Sequence, residues 1–258
     1  MPSLLSLFRK PQAPVSRLAI ARVPEGQRVY AIGDVHGRFD LLIGLLKRIK
    51  IDSEERGEAD THVVLLGDLI DRGPHSAQVL EYLRSHRDIF ATFHFIAGNH
   101  EEAMLATLGL YELPMQNGWL NVGGRETLCS YGADPASFRD DELDGAALIR
   151  RHVPRTHLDF LESFEESVRI GDYLFVHAGI RPGVAIEQQR GDDMRWIRRD
   201  FLDDERDHGV VVVHGHSITA EPDIRHNRIG IDTGAYKSGM LTALALEGED
   251  RWLMMEQV

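Results

Sequence analysis

Three short apolar runs, each followed at once by a polar motif, constrain the fold of this sequence more than any other feature. The runs are residues 28–32, 63–66 and 92–96, and the polar residues that follow them include Asp34, Asp68 and Asn99. These three residues lie 34 and 31 positions apart, about the length of one strand–helix–strand unit. The sequence therefore predicts neighbouring buried strands that deliver polar side chains to the sheet edge where α/β proteins bind ligands.

Helical and strand patterns fill the rest of the chain. Residues 41–50 place leucine and isoleucine on one helical face, residues 51–60 are predicted to be a loop, and a second helix is predicted after Pro74. The charged residues 140–169 are also predicted to be helical. Later apolar runs predict further strands at residues 173–176, 210–213, 228–231 and 241–246. Because the early half alternates β and α while the late half is mostly β, we predict an α/β fold with two mixed β-sheets packed as a central β-sandwich and flanked by helices.

The chain is predicted to form one domain, because no linker rich in proline, glycine and serine divides its 258 residues. Residues 1–16 are predicted to be a flexible tail, with a membrane-surface or partner-docking segment as the alternative. Residues 17–258 form the predicted domain, and its irregular part at 110–165 is predicted to be a cap over the site.

Composition limits the partners and the compartment. The net charge of −12 argues against a broad nucleic-acid surface, which requires clustered lysine and arginine. No apolar run approaches the roughly 20 residues of a membrane span, so no stable membrane insertion is expected. The single cysteine, Cys129, excludes an intramolecular disulfide and fits a reducing compartment, so we expect a cytoplasmic protein. The oligomeric state is left open.

Six polar residues at predicted strand ends have the chemistry of metal ligands. They are Asp34, His36, Asp68, Asn99, His177 and His216, called here the strand-end cluster. A mixed set of nitrogen and oxygen donors favours a transition metal over Mg²⁺ or Ca²⁺. Six ligands exceed what one open catalytic ion needs, so we expect two divalent ions about 3.5–4 Å apart with Asp68 as the bridge. Mn²⁺ is the first choice, with Fe and Zn²⁺ as alternatives.

Each of these residues also has an ordinary interpretation when it is taken alone. An aspartate after a strand is commonly a turn former or a helix cap, and most of the 13 histidines are expected to be surface or core residues. The metal hypothesis therefore depends on the joint pattern, in which every main predicted core strand ends in a ligand type.

The motifs around these residues resemble those of the phosphoprotein phosphatase family, within the calcineurin-like metallophosphoesterase superfamily. Three early motifs carry most of the resemblance: Gly33-Asp34-Val35-His36-Gly37, Gly67-Asp68-Leu69-Ile70-Asp71-Arg72-Gly73 and Gly98-Asn99-His100-Glu101. Later segments extend it: Val176-His177-Ala178-Gly179, Trp196-Ile197-Arg198, Gly215-His216-Ser217 and Ile231-Asp232-Thr233-Gly234. The resemblance covers about residues 28–247 and is strongest to the bacterial and bacteriophage branch, the lambda phosphatase-like serine/threonine phosphatases.

The resemblance implies a role for each motif residue. Asp34 and His36 would bind the first metal, and Asp68 would bridge, the role that the strand-end pattern also predicts for Asp68. Asn99, His177 and His216 would bind the second metal.

The same resemblance implies the catalytic groups. Arg72 and Arg198 would bind the phosphate together with Asn99. His100 would be the general acid, with Asp71 as its hydrogen-bond partner. Arg195 and Arg199 are close enough to Arg198 in sequence to be confused with it. Tyr236 corresponds loosely to an active-site tyrosine.

The sequence also raises the question of whether His214 binds metal, because many metallophosphoesterases bind metal through both histidines of a Gly-His-x-His motif. Here Gly215-His216-Ser217-Ile218 lacks the second histidine, as the phosphoprotein phosphatases also do. His216 is therefore the preferred ligand, and His214 is the alternative as a ligand or a neighbour of the site. The absent second histidine and the acidic balance both argue against a nuclease.

The resemblance implies a metal-dependent phosphomonoester hydrolase that attacks with a metal-bound hydroxide. The expected activity is that of a serine/threonine protein phosphatase, or a dual-specificity one, with a phosphoprotein or phosphopeptide as substrate. The first alternative is a hydrolase of dinucleoside polyphosphates such as diadenosine tetraphosphate, which shares the early motifs. An inactive metal-binding scaffold is the second, although no ligand or acid is missing from the sequence.

Overall fold

The computed structural model describes residues 16–86, 90–111, 118–139 and 144–258. The predicted tail falls outside these ranges except for Ser16, and its flexibility stays a prediction. No helix in the described part of the chain is long and apolar enough to cross a membrane.

Ten strands of the described residues form two five-stranded sheets. The first sheet has the order β10-β9-β1-β2-β3, and its strands are β1 (Gln27–Ile32), β2 (Asp60–Leu65), β3 (Thr92–Phe95), β9 (Met240–Glu247) and β10 (Asp250–Gln257). The second sheet has the order β4-β5-β6-β8-β7, and its strands are β4 (Ser167–Ile170), β5 (Tyr173–Val176), β6 (Val211–His214), β7 (Asp223–Ile224) and β8 (Arg228–Gly230). Both sheets are mixed. The strands β1, β2 and β3 pair in parallel, as do β5, β6 and β8. The antiparallel pairs are β1 with β9, β9 with β10, β4 with β5, and β7 with β8.

Helices cover the outer faces and the connections. The α-helices of the described residues are α1 (Arg17–Ile20), α2 (Phe39–Glu55), α3 (Ser76–His86), α4 (Asn99–Thr107), α5 (Gly124–Ser130), α6 (Gly145–His152), α7 (Arg155–Glu162), α8 (Gly191–Trp196), α9 (Arg199–Leu202) and α10 (Ala235–Ser238). Single 3₁₀ turns span Trp119–Val122, Pro135–Arg139 and Ile186–Gln188.

Alternation along the strands builds the layers, because successive side chains point to opposite faces of a sheet. In β1, Val29 and Ala31 face the second sheet, where they share a core with Tyr173 and Phe175. Tyr30 and Ile32 point the other way and pack in the core that holds the apolar face of α2. Full burial of each such aliphatic side chain contributes about 1.5–3 kcal/mol.

The predicted β-sandwich flanked by helices is confirmed. Local boundaries differ in places: α2 continues to Glu55, although residues 51–60 look loop-like, because polar residues are compatible with a solvent-facing helical turn. Residues 140–169 were expected to be helical, yet Ser167–Ile170 form β4 on the edge of the second sheet. The first four residues of that range, 140–143, lie outside the described residues.

Candidate metal centre

The carboxyl ends of strands from both sheets meet at one place and bring the strand-end cluster together. The motifs after β1, β2 and β3 supply four of its members from the first sheet, and the motifs after β5 and β6 supply two from the second. All six side chains are buried, with residue exposures between 0% and 8%. The predicted convergence is therefore present in the structure.

Two groups of possible ligands share Asp68. One group is His36, Asp68 and His100, and the other is Asp68, His177 and His216; within each group the ligand atoms lie within 4.8 Å of one another. The Asp68 carboxylate lies 3.5 Å from His36 Nε2 through one oxygen and 3.5 Å from His177 Nε2 through the other. A carboxylate placed in this way between two groups of donors has the geometry of a bridging ligand.

Asn99 completes the second group. Its Oδ1 lies 2.8 Å from His216 Nδ1 and 3.0 Å from His177 Nε2, and these two nitrogens are 3.1 Å apart. The other nitrogen of His216, Nε2, is buried and has no hydrogen-bond partner among the described residues. Three donor atoms that converge within about 3 Å, one amide oxygen and two imidazole nitrogens, fit a divalent ion at this position.

Burial keeps the histidines of the cluster neutral, which a metal ligand requires. It lowers the pKa of His36 to about 3 and that of His216 to about 2, and it lowers the pKa of His177 as well. Burial opposes ionisation of Asp68, but His177, His100 and His36 outweigh it and hold the pKa of this carboxyl well below its usual range. The centre thus holds a charged carboxylate among neutral imidazoles.

Asp34 lies beside both groups but belongs to neither three-residue set. Its carboxylate accepts the backbone N–H of His216 at 3.1 and 3.2 Å. A side chain at Gly215 would place its Cβ 2.0 Å from Asp34 Oδ1, so this approach requires glycine. Burial and the carboxylates of Asp232 and Asp68 raise the pKa of Asp34 well above its usual range.

Asp232 also lies at this site, although the sequence predicted no role for it within the motif Ile231-Asp232-Thr233-Gly234. It is 2% exposed and accepts the backbone N–H of Gly234 at 2.9 Å. Burial raises its pKa to about 6. Only its place in a motif near the other signatures could have marked it, because a single aspartate in a strand–turn sequence is common.

His100 and Asp71 form a buried pair at the start of α4. His100 Nδ1 lies 2.7 Å from Asp71 Oδ2, and the same carboxylate accepts Trp119 Nε1–H at 2.9 Å and Thr127 Oγ1–H at 2.6 Å. Burial lowers the pKa of His100, but Asp68 and Asp71 outweigh it and the net direction is upward. Its other nitrogen, Nε2, lies 3.9 Å from Asp68 and therefore faces the cluster.

Glu101 shapes the loop that presents Asp68. One carboxylate oxygen accepts the backbone N–H groups of Leu69 and Ile70 at 2.8 and 3.3 Å, and the other accepts those of Asp68 and Gly98, both at 2.9 Å. Asp68 itself has a φ of 49°, a conformation that costs free energy outside glycine. The sequence shows Glu101 only as the last residue of its motif, and no local pattern indicates this contact with the Asp68 backbone.

The predicted phosphate-binding arginines differ in their surroundings. Arg72 Nη1 lies 2.8 Å from His36 Nε2, and its guanidinium lies 4.9 Å from the centroid of the Tyr236 ring. Arg198 is exposed, and its charge lowers the pKa of both His177 and His216, which places it within electrostatic range of the second group.

The neighbouring arginine is already paired. Arg195 is buried, donates a hydrogen bond to Glu102 at 2.7 Å and contacts Glu166, so it is not free for a substrate phosphate.

His214 is buried against Phe201, with ring centroids 5.3 Å apart, and its Nδ1 donates to Gly215 O at 3.0 Å. It belongs to neither ligand group.

Residues 27–237, which include the whole strand-end cluster, match the family model of the calcineurin-like phosphoesterases. The chain belongs to this family. Among curated proteins, this phosphoesterase is similar to the asymmetrical bis(5'-nucleosyl)-tetraphosphatase PrpE of Halalkalibacterium halodurans, with 28% identity over 232 residues that cover 83% of this chain and 87% of that enzyme. A symmetrical bis(5'-nucleosyl)-tetraphosphatase of Nitrosospira multiformis is 27% identical over 199 residues, which cover 73% of this chain and 60% of that enzyme.

Solved structures share the fold at low sequence identity. A protein assigned as a diadenosine tetraphosphatase superposes with a TM-score of 0.62 at 19% identity, over 92% of this chain and 98% of that chain. A cold-active protein tyrosine phosphatase superposes with a TM-score of 0.57 at 20% identity, over 91% of this chain and 82% of that chain. At these identities the likeness concerns the fold alone.

Proposed function

We propose that this phosphoesterase hydrolyses dinucleoside polyphosphates such as diadenosine tetraphosphate, and that it cleaves them asymmetrically. The observation that carries the proposal is the similarity to an asymmetrical tetraphosphatase over 83% of this chain and 87% of the relative. Similarity confined to the metal motifs would support only a shared reaction chemistry. Similarity over most of the length of both chains also supports a shared substrate class. The protein phosphatase activity that the motifs favour becomes the second candidate.

The proposed cofactor is a pair of divalent ions, with Mn²⁺ as the first choice and Fe or Zn²⁺ as alternatives. Asp34, His36 and Asp68 would hold one ion, while Asp68, Asn99, His177 and His216 would hold the other. When bound, such ions polarise a phosphoryl group and lower the pKa of a coordinated water. The neutral histidines and the charged Asp68 are already in the protonation states that binding requires.

The remaining residues act on the substrate. In hydrolysis a water oxygen bonds to phosphorus, and the bond from phosphorus to the bridging oxygen breaks with its electrons on the leaving oxygen. Arg72, Arg198 and Asn99 would bind the phosphoryl oxygens, because guanidinium groups match phosphate geometry. His100 would give its proton from Nε2 to the leaving oxygen, while Asp71 holds Nδ1 and fixes the ring.

A serine/threonine protein phosphatase stays the second candidate because of the His100–Asp71 pair. An alcohol leaving group is a strong base and gains more from a general acid than a phosphate leaving group does. The carboxylate of Asp71 is held by two further donors, Trp119 and Thr127, which keeps the acid oriented. This arrangement suits phosphomonoester cleavage as well as anhydride cleavage.

The deciding experiment compares the two substrates on metal-stripped protein reloaded with Mn²⁺. Turnover of diadenosine tetraphosphate to ATP and AMP, well above turnover of a phosphoserine peptide, supports the proposal. Release of two ADP molecules would mean symmetrical cleavage instead. Turnover of the peptide alone would reject the polyphosphate substrate in favour of the protein phosphatase, and absence of both activities with metal bound would support an inactive scaffold.

A further inference from the structure

A pocket of about 470 Å³ opens next to the strand-end cluster. Its lining includes Arg72, Asn121, Arg125, Glu126 and Tyr236. Arg72 contacts His36 at 2.8 Å, and the Tyr236 ring lies 5.3 Å from the His36 ring, centroid to centroid. The pocket therefore lies directly beside His36 of the strand-end cluster. Its volume is in the range of small-molecule sites, about 300–1,000 Å³.

Arg125 is a cation in this pocket without a matching anion. Its Nη2 donates to Asn121 Oδ1 at 3.4 Å, while its Nε is buried and has no hydrogen-bond partner within the described ranges. Its guanidinium carbon lies 6.0 Å from the centroid of the Phe138 ring, and it forms no ion pair with any described residue, although Glu126 lines the same pocket. A buried donor left without a partner is destabilising, so its retention is better explained by a ligand that supplies the acceptor.

The pocket wall is also held in place. The backbone N–H of Arg72 donates to Gly123 O at 3.3 Å, so the segment that carries Arg125 is tied to the loop that carries Arg72. Gly123 has a φ of 126°, and a Cβ there would lie 2.6 Å from the Arg72 backbone nitrogen. The two arginines are therefore presented from adjacent, closely packed backbones and line one pocket.

We propose that Arg125 binds the phosphate group next to the scissile one and thereby selects substrates with a polyphosphate chain. The proposal rests on the proposed function and names the residue that recognises its substrate class. Arg72 would hold the scissile phosphoryl group at the metal centre, and Arg125 would hold its neighbour in the pocket. A phosphoserine side chain or a simple aryl phosphate has no second phosphate, so its turnover gains nothing from Arg125.

The test uses the full chain loaded with Mn²⁺ and compares Arg125→Gln with the wild type. For diadenosine tetraphosphate, kcat/KM is expected to fall about 10- to 100-fold, the loss of one charge-assisted hydrogen bond. For p-nitrophenyl phosphate it is expected to change less than about twofold. Arg125→Lys is expected to restore part of the loss, and the exposed Arg169→Gln, with the same charge change, is expected to alter neither substrate.

A second measurement separates this proposal from the proposed function. ADP and inorganic phosphate are compared as competitive inhibitors of p-nitrophenyl phosphate hydrolysis. Arg125→Gln is expected to raise the inhibition constant of ADP about tenfold and to leave that of inorganic phosphate unchanged. If the wild type fails to cleave diadenosine tetraphosphate but this selective effect on ADP is seen, the substrate assignment fails and the phosphate subsite stands. An equal effect on both inhibitors, or none on ADP, overturns the subsite.

Discussion

At the scale of single residues, one ring nitrogen of His100 is held by a hydrogen bond, and the other faces the strand-end cluster. Its Nδ1 contacts Asp71 at 2.7 Å, and its Nε2 faces Asp68 across 3.9 Å. A general acid in this position is needed most when the leaving group is a strong base. We predict that His100→Asn lowers kcat about 10²–10⁴-fold for phenyl phosphate and clearly less for p-nitrophenyl phosphate, whose leaving group is a weaker base.

Metal analysis of the same variant provides the control for His100. Bound Mn²⁺ is expected to stay at the wild-type stoichiometry, because the six residues of the strand-end cluster are unchanged. Equal losses for the two aryl phosphates, or loss of an ion, would argue that His100 serves as a ligand, as its place in one ligand group allows.

Glu101 is the second residue whose contacts make a strong prediction. Its two oxygens accept four backbone N–H groups of the Asp68 loop and of Gly98. Glu101→Gln replaces one accepting oxygen with an amide NH₂ that faces donors. We predict a loss of about 2–4 kcal/mol in the free energy of unfolding, measured by urea denaturation, because hydrogen bonds are lost and buried backbone donors are left unpaired. The exposed Glu55→Gln should change it by less than about 0.5 kcal/mol.

At the scale of helices and strands, the sequence predicted where ligands would converge but not what holds them. The carboxyl ends of strands must meet at one sheet edge, so Asp34, Asp68 and Asn99 could be placed together from spacing alone. Trp119 and Thr127, which bond Asp71, could not, because they lie 48 and 56 residues away in sequence and no local periodicity marks such contacts.

Some secondary-structure boundaries were predicted wrongly for a related reason, because contacts between distant residues determine them. The short edge strand β4 reads as part of a charged helical stretch, and only pairing with β5 makes Ser167–Ile170 extended. Burial also distinguishes the two neighbouring arginines, because Arg195 is buried and pairs with Glu102, whereas Arg198 is exposed.

A buried arginine ties β1 to β9 and gives a pH prediction. Arg28 is 0% exposed and donates to both oxygens of Glu247 at 3.0 and 2.9 Å. The hydrogen bond to Arg28 lowers the pKa of Glu247 below its usual value, so the folded state releases this proton more readily than the unfolded state. The resulting stabilisation is complete above the unfolded pKa of about 4.3 and is lost as pH falls through the lowered folded value.

We therefore expect Glu247→Gln to be less stable than the wild type at pH 7, and the difference to shrink as pH falls below about 4.3. Glu247 is 36% exposed, so solvent screening reduces the effect, and about 1 kcal/mol at pH 7 is expected. Urea denaturation of the metal-free proteins across the pH range measures it. A difference that stays constant with pH would show that the contact acts through packing rather than charge.

At the scale of the whole molecule, the strand-end cluster joins the two sheets. Asp68 extends from the first sheet, and His177 and His216 extend from the second, so an ion held by all three would link both layers. A ligand that binds only the folded state stabilises it by about 2.7 kcal/mol at a concentration 100 times its Kd. For a chain of this size, each kcal/mol corresponds to roughly 2–4 °C in Tm.

Removal of the ions with a chelator is therefore predicted to lower Tm by roughly 5–10 °C for each ion lost, and added Mn²⁺ to restore it. The Mn²⁺-induced rise in Tm should shrink in His177→Ala, which removes a proposed ligand that extends from the second sheet. The useful quantity is the rise, not Tm itself, because truncating a buried histidine also leaves a cavity. His94→Ala, a half-buried histidine of β3 outside the cluster, is the matched control and should keep the full rise. A full rise in His177→Ala would mean that His177 is not needed to hold the ions.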